Sequence, residues 1–234
     1  MRSPPAPGWA SLRSAGSTCM KIPNSDRSSR AAQIEAYYRE RFSMCGDTPQ
    51  GVDWNGAESQ GLRFTVLERL FRSRSGFSVL DVGCGTGALL AHLEEAGLSG
   101  FRYVGIDLCE PMIRAAREKF PERGTFVTGE LADSSETFDY VVSSGILNVK
   151  QDEDAVGWRT HVQETVRRQY ELCRIGAAFN AITSQVDFTR DHLFYWDPAD
   201  ALRFCLSLSR HVAIRHDYPL YEFTACIYRE THRG

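Results

Sequence analysis

The stretch FSVLDVGCGTGALLAHLEEAG, residues 77–97, decides the fold of this chain. Its first residues are apolar and β-branched, as in a buried strand, and its last residues follow a helical pattern. Between these two parts lie glycines at positions 83, 85 and 87. A glycine-rich turn between a strand and a helix lets a ligand touch the main chain and use the N–H groups at the helix N-terminus. The stretch therefore predicts a strand, a ligand-binding turn and a helix.

Strand and helix patterns alternate along the rest of the chain. Further strands are predicted over residues 102–108, 124–131, 138–147 and 177–184, and helices over 110–120, 151–174 and 198–210. Short strands joined by helices form a parallel sheet with helices on both faces, because parallel neighbours need a crossover connection. The last two strand patterns, 211–218 and 222–230, are so close that they predict an antiparallel hairpin. We expect an α/β fold with a doubly wound, mainly parallel seven-stranded sheet and this C-terminal hairpin.

Composition limits the cellular context and the class of partner. The 234 residues are 42% hydrophobic and carry a formal net charge of −3, so no overall basic field attracts nucleic acid. The seven cysteines include no CxxC pair, which favours a reducing compartment over a disulfide framework. No apolar stretch approaches the ~20 residues that a transmembrane helix needs. We therefore expect a cytoplasmic protein that binds neither DNA nor a membrane.

By composition, the chain divides into a tail and one domain. Residues 1–30 are rich in Ser, Pro and Arg and predict a disordered tail, with a transit peptide or a true start at Met20 as open alternatives. Residues 31–234 are expected to form a single domain. Within this domain, residues 31–60 predict a cap made of an amphipathic helix and a loop, which can close over a ligand.

Two carboxylates indicate which ligand the glycine turn holds. Asp81 lies two residues before Gly83, where its charge repels a pyrophosphate and attracts an ammonium or a sulfonium. Asp107 ends the second predicted strand, where a carboxylate can accept both hydroxyls of a ribose. The run Gly83, Gly85 and Ala88 also fits the dinucleotide pattern GxGxxA, but Asp81 opposes that alternative.

Four segments together resemble a known family. VLDVGCGTG (79–87), YVGIDLCEPMI (103–113), FVTGEL (126–131) and FDYVVSSGIL (138–147) stand in the order of the signature segments of class I S-adenosylmethionine-dependent methyltransferases. The resemblance covers roughly residues 60–230. It implies the Rossmann-like methyltransferase fold, S-adenosylmethionine as cofactor, and transfer of its methyl group by in-line displacement.

The resemblance also implies a set of cofactor-binding residues. The main chain from Gly83 to Gly87 would cradle the methionine part, with Asp81 near its amino group, Asp107 at the ribose and Leu108 on the adenine ring. Aromatic faces in the cap could stabilise the sulfonium, or simply pack there. The full set expected to bind the cofactor is Asp81, Gly83, Cys84, Gly85, Gly87, Asp107, Leu108, Met112, Glu130, Leu131, Ser144, Tyr37 and Tyr38, with Trp54 as a further aromatic candidate.

The sequence after the fourth strand favours a small-molecule acceptor. Many methyltransferases that modify nitrogens of nucleic acids and proteins carry an Asn/Asp-Pro-Pro-aromatic run there, whereas this chain has SSGILNV at 143–149. A neutral histidine would suit general-base work on a hydroxyl or a protonated amine. The catalytic candidates, each also open to a purely structural role, are His192, Asn148, Asp187, Tyr195 and His216.

Other side chains have simpler expected roles. Arg63 is expected to be a solvated surface charge, with pairing to a carboxylate of the cofactor or substrate as the alternative. Asn180, inside an apolar strand, needs a partner and serves either the site or a structural hydrogen bond. The chain has no HxxxH, Cys/His cluster or acidic triad at ligand spacing, so no metal is expected.

The sequence leaves three alternative functions open. The first is a non-catalytic cofactor-binding or partner protein, and the second is a nicotinamide-dependent oxidoreductase. A third, methylation of RNA or protein, would require a basic strip beside the cleft, for which RSRSGF at 72–77 is the only nearby hint. The element that accepts the methyl group and the oligomeric state are not indicated by the sequence.

Overall fold

A computed structural model describes residues 24–48, 56–151 and 153–230. The helices are α1 (Asn24–Cys45), α2 (Ala57–Leu67), α3 (Ala88–Glu95), α4 (Glu110–Lys119), α5 (Ala155–Leu172) and α6 (Pro198–Leu208). The strands are β1 (Ser78–Val82), β2 (Arg102–Asp107), β3 (Thr125–Thr128), β4 (Phe138–Ser143), β5 (Cys173–Ile182), β6 (His211–Arg215) and β7 (Glu222–Tyr228).

All seven strands belong to one sheet in the order β3-β2-β1-β4-β5-β7-β6. The β1 strand pairs in parallel with β2 and β4, β2 with β3, and β4 with β5. The β7 strand runs antiparallel between β5 and β6, which confirms the predicted C-terminal hairpin. From β1 the chain continues to β2 and β3, which lie on one side of β1 in the sheet. It then crosses to β4, which lies on the other side of β1. The carboxyl ends of β1 and β4 therefore form the crevice where ligands bind in doubly wound folds.

Helices cover both faces of the sheet, which explains why β1 is buried along its whole length. On one face, α2, α3 and α4 pack over a core that includes Leu67, Leu90 and Tyr103. On the other face, α5 and α6 pack over Trp158 and Phe179 and their neighbours. The sheet between these two cores supports the loops at its carboxyl edge.

Local capping residues set several of the boundaries. The Asp197 carboxylate accepts hydrogen bonds from the amides of Ala199 and Asp200 and so begins α6, as predicted. Asp154 caps α5 in the same way, and this helix begins at Ala155, four residues later than predicted. The β4 strand ends at Ser143, earlier than predicted, and the chain turns at Gly145, whose φ is 83°.

The N-terminal segment lies against the carboxyl edge of the sheet. Arg30 of α1 forms an ion pair with Glu153, in the connection between β4 and α5. Just beyond α1, the Asp47 carboxylate accepts a hydrogen bond from the Thr86 hydroxyl at 2.5 Å and lies 3.1 Å from the Lys119 ammonium. These contacts join the segment both to the glycine turn and to α4.

Some sequence-based expectations fall partly outside this description. Most of the predicted tail, and Trp54 in the predicted cap, lie outside the described residues. Within the described ranges, no helix has the length and apolar character that a bilayer crossing requires.

Candidate functional site

The carboxyl ends of the parallel strands open into a cavity of about 1100 Å³. Across the sheet, the cavity is lined by Asp107 at the end of β2, Gly83 and Gly85 after β1, Ser144 after β4 and Ile182 at the end of β5. Neighbouring strands lie about 4.8 Å apart, so this row spans several strand widths. The cavity therefore extends over β2 and β1 at one end and over β4 and β5 at the other.

The glycine turn is shaped by contacts within the protein as well as by the cavity. A Cβ at Gly83, whose φ is +74°, would lie 2.1 Å from Cγ2 of Ile146. A Cβ at Gly87, whose φ is +83°, would lie 2.8 Å from the Phe120 ring. Gly83 lines the cavity, whereas Gly87 does not line either cavity at this edge. Gly87 is thus required by packing under α3, and its contact with the cofactor stays a prediction.

Strand β2 supports the glycine turn from the side. The amides of Gly85 and Cys109 donate hydrogen bonds to the two carboxylate oxygens of Asp107, at 2.9 and 2.8 Å. Cys84 packs on Gly105, where a Cβ would lie 2.6 Å from its Sγ. Burial raises the pKa of Asp107, and these backbone donors oppose the rise. Asp107 therefore organises the turn itself while also facing the cavity.

Asp81 lies behind the turn and faces a second cavity of about 270 Å³. Its carboxylate is buried and accepts a hydrogen bond from the Tyr103 hydroxyl at 2.6 Å. Burial raises the pKa of Asp81 to about 7; the hydrogen bond from Tyr103 lowers it, and the charge of Asp107 adds to the rise. The two cavities share Gly83, Gly85 and Ser144 in their walls and so meet at the glycine turn.

The side of the large cavity near β2 and β3 is lined by residues that the sequence singled out. These are Leu108, Met112, Glu130 and Leu131. In the cap, Tyr38 also lines the cavity, whereas Tyr37 does not. The Tyr37 ring packs edge-on against Tyr38, with centroids 5.2 Å apart.

The side near β4, β5 and β7 is mainly aromatic and aliphatic. Its wall includes Val149, Ile182, Phe188, Leu193, Leu220 and Tyr221. Phe188 and Tyr221 are 60% and 49% exposed, and their rings meet edge-on with centroids 6.3 Å apart. Such large exposed rings at a cavity mouth are suited to contact with an apolar ligand.

Three catalytic candidates line this part of the cavity, namely His192, Asn148 and Tyr195. The Asn148 side-chain oxygen accepts a hydrogen bond from the Ile182 amide at 3.0 Å, and the Tyr195 hydroxyl accepts one from the Arg190 amide at 2.8 Å. His192 is exposed to solvent in the loop between β5 and α6. The two hydrogen bonds from backbone amides fix the orientation of the Asn148 and Tyr195 side chains.

The other two candidates lie outside both cavity walls. Asp187 is exposed and accepts a hydrogen bond from the Tyr221 hydroxyl, so it holds one of the mouth aromatics. His216 is exposed in the connection between β6 and β7. Asn180 instead supports the floor: it accepts a hydrogen bond from the Gly145 amide at 2.8 Å and donates one to the Ser144 hydroxyl at 3.1 Å.

The wall of the large cavity also contains a buried ion pair, which the sequence analysis did not predict. The Arg63 guanidinium donates from Nε and Nη2 to the two oxygens of Glu222, at 2.7 and 2.6 Å. Both side chains are buried, so the expectation that Arg63 is a solvated surface charge is wrong. The signal was its spacing, because Arg63 stands four and seven residues before the buried Leu67 and Leu70.

Two further features complete the site. His161 on α5 also lines the large cavity, and its position three residues after the buried Trp158 could have indicated an inward-facing side chain. Among the residues that the structure describes, no group of three or more His, Cys, Asp or Glu side chains is placed to hold a metal ion.

Comparison with known proteins gives consistent matches. A family model described as a methyltransferase domain matches residues 79–169. The putative methyltransferase Rv1506c of Mycobacterium tuberculosis is 37% identical over 164 residues, which cover 68% of this chain and 97% of that protein. Magnesium-protoporphyrin O-methyltransferase of Rhodobacter capsulatus is 32% identical over 111 residues, 43% of this chain and 48% of that protein.

A solved structure resembles the fold of most of this chain. It is that of magnesium protoporphyrin IX methyltransferase from Synechocystis PCC 6803 with bound S-adenosylhomocysteine, which superposes with a TM-score of 0.64 at 16% identity. The superposition covers 86% of this chain and 100% of that one. At this level of identity, the similarity concerns the fold.

Proposed function

Because this chain belongs to the class I S-adenosylmethionine-dependent methyltransferase family, we propose that it transfers the cofactor's methyl group to a small-molecule acceptor. The nicotinamide-dependent alternative is removed by this family membership. The observation that supports the proposal is the continuous cavity of about 1100 Å³, which runs from the glycine turn to a largely aromatic and aliphatic wall. When bound, S-adenosylmethionine supplies an electrophilic methyl group that an acceptor lone pair takes by in-line displacement.

The residues present fit this cofactor by their chemistry. A buried carboxylate, Asp81, faces the small cavity, which suits the ammonium of an amino acid. Asp107 faces the large cavity at the end of β2, which suits the hydroxyls of a ribose. We assign the cofactor to Asp81, Gly83, Cys84, Gly85, Asp107, Leu108, Met112, Glu130, Leu131, Ser144 and Tyr38, all of which line one or both cavities.

We assign the acceptor to the part of the large cavity over β4, β5 and β7. Methyl transfer depends chiefly on holding the acceptor atom about 3–3.5 Å from the methyl carbon in the correct direction. The side-chain amide of Asn148 and the hydroxyl of Tyr195 can orient an acceptor there, because each already accepts a hydrogen bond from a backbone amide that fixes its position. His192, which lines the same space, is our candidate for the general base.

The shape of the cavity favours a small molecule over a macromolecule. Its acceptor side is bounded by the loop after β5 and by the turn between β6 and β7, with Phe188 and Tyr221 at the mouth. The charges of Arg63 and Glu222 in this wall neutralise each other. We infer an acceptor with an apolar, ring-bearing body, which such side chains bind by burial of its surface.

The same fold would serve a non-catalytic cofactor-binding protein, and activity separates the two. A lysate fractionated into components below and above about 1 kDa would be incubated with the protein and S-adenosylmethionine, and S-adenosylhomocysteine would be measured. We expect its formation with the small-molecule fraction only. Formation with the macromolecular fraction alone would overturn the acceptor class, and formation with neither would favour the non-catalytic alternative.

We also propose a cytoplasmic location. The support is chemical: six cysteines in the described part of the chain are free thiols, and five of them are buried. Thiols persist in a reducing compartment, where disulfides are rare.

A further inference from the structure

Tyr103 is a buried residue of β2 that lines neither cavity but contacts a residue that does. Its side chain is 2% exposed, and its hydroxyl donates a hydrogen bond to Oδ2 of Asp81 at 2.6 Å. Asp81 is itself 3% exposed and faces the small cavity. A phenol this deep in a core needs a partner for its hydroxyl, and here that partner is the carboxylate at the candidate cofactor site.

The sheet register explains how the two side chains meet. Asp81 on β1 is paired with Gly105 on the parallel strand β2. Residues paired across a sheet share a face, and so do residues two apart along a strand. Therefore Tyr103, Gly105 and Asp107 lie on the same face of the sheet as Asp81, next to β1 and the turn after it. Each acts on that segment: Tyr103 on Asp81, Gly105 on Cys84, and Asp107 on the Gly85 amide.

Several charged and titratable groups around Asp81 influence its ionisation. From β2 it is faced by Tyr103 and Asp107, and from the turn by the Cys84 thiol. The ion pair of Asp47 and Lys119 lines the other side of the small cavity. Burial and the charge of Asp107 raise the pKa of Asp81 to about 7, and the hydrogen bond from Tyr103 is the side-chain contact that lowers it.

We propose that Tyr103 is a positioning residue for cofactor binding, whose hydroxyl keeps the Asp81 carboxylate charged and directed toward the small cavity. This inference rests on the proposed function, which places the ammonium of the cofactor beside Asp81. Tyr103 contributes no contact to the cofactor and acts through Asp81 alone.

The consequence is a particular pH dependence of cofactor affinity. Pairing requires an ionised Asp81 and a protonated amino group on the ligand. As the pH falls through the pKa of Asp81, the carboxyl gains a proton and affinity is lost. At a pH high enough to deprotonate the ligand's amino group, the ligand loses this charge and affinity falls again. Removing the Tyr103 hydroxyl moves the acid limb to higher pH and lowers the maximum.

The test is calorimetric titration of Tyr103→Phe with S-adenosylhomocysteine between pH 6 and pH 9. We expect the dissociation constant at pH 7 to rise about five-fold, and the midpoint of the acid limb to rise by roughly one unit. The matched control is Tyr140→Phe, which removes a buried tyrosine hydroxyl from the same core, where it accepts a hydrogen bond from the Arg72 amide. That variant should keep the acid limb of the unmodified protein.

A second ligand separates positioning from general packing. Methylthioadenosine lacks the amino acid part, so its affinity should be the same in Tyr103→Phe and the unmodified protein. An equal loss for both ligands, or an unshifted acid limb with S-adenosylhomocysteine, would overturn the inference. If Tyr103→Phe does not fold, the unmodified protein and Asp81→Asn decide: the inference requires an acid limb near pH 7 in the former and none in the latter. Failure of the unmodified protein to bind S-adenosylhomocysteine at any pH would instead overturn the proposed cofactor site, and this inference with it.

Discussion

Arg63 and Glu222 form a buried, two-point ion pair in the wall of the large cavity, although 159 residues separate them in the sequence. The pair joins α2 to the first residue of β7, next to the end of β5. It therefore connects α2, which precedes β1 and the glycine turn in the sequence, to β7, the strand of the C-terminal hairpin that lies between β5 and β6.

Replacing only one partner of this pair should destabilise the protein strongly. We expect Arg63→Met to lower the free energy of unfolding by about 3–5 kcal/mol, because Glu222 would remain as a buried, uncompensated charge. Urea denaturation measures this change. Arg203→Ala, which removes an exposed arginine paired with Asp200, should cost less than about 1 kcal/mol. Equal losses in the two variants would show that burial of the pair has no energetic consequence.

Asp107 should dominate cofactor affinity. Asp107→Ala removes the acceptor for the Gly85 and Cys109 amides together with the proposed ribose contact. Hydrogen bonds to a charged group contribute about 1.5–3 kcal/mol each, so the dissociation constant of S-adenosylhomocysteine should rise at least about ten-fold. Calorimetry measures this effect, with the exposed Glu122→Ala as control. Unchanged affinity in Asp107→Ala would contradict the assignment.

Gly83 should not tolerate even one methyl group. In Gly83→Ala, the Cβ would meet Ile146 while the backbone keeps a positive φ, and we expect a loss of stability of about 1–3 kcal/mol. The double variant with Ile146→Ala would relieve the clash and leave only the backbone strain. The contrasting control is Gly61→Ala in α2, where a Cβ meets nothing within 4 Å and stability should rise by about 0.5–1 kcal/mol. Thermal unfolding compares all three variants.

The link between the N-terminal segment and the glycine turn should govern how fast the cofactor leaves. Asp47→Ala removes the contacts to Thr86 and Lys119, and part-exposed contacts of this kind contribute up to about 1 kcal/mol. We expect dissociation of S-adenosylhomocysteine to become about two- to five-fold faster. Stopped-flow displacement measures the rate, with Glu40→Ala, an exposed change on α1, as the matched control. Equal rates in the two variants would show that the segment does not retain the cofactor.

Local signals in the sequence determined the elements of this protein. Apolar periodicity indicated each strand and helix from residue 77 onward, and Asp197 marked the start of α6 with its own side chain. The glycines of the turn and the two carboxylates near it also stood out. These features depend on neighbours a few residues away, so pattern and spacing were enough to predict the doubly wound sheet and the edge at which ligands bind.

Only the tertiary structure decided which side chains meet. It brought Tyr103 to Asp81 and Arg63 to Glu222, turned Tyr38 but not Tyr37 toward the cavity, and placed His192 in its wall while leaving His216 outside. Periodicity shows that a residue faces inward, but the identity of its partner depends on strand order and on the packing of distant segments. Those relationships arise when the chain closes on itself, and no local pattern carries them.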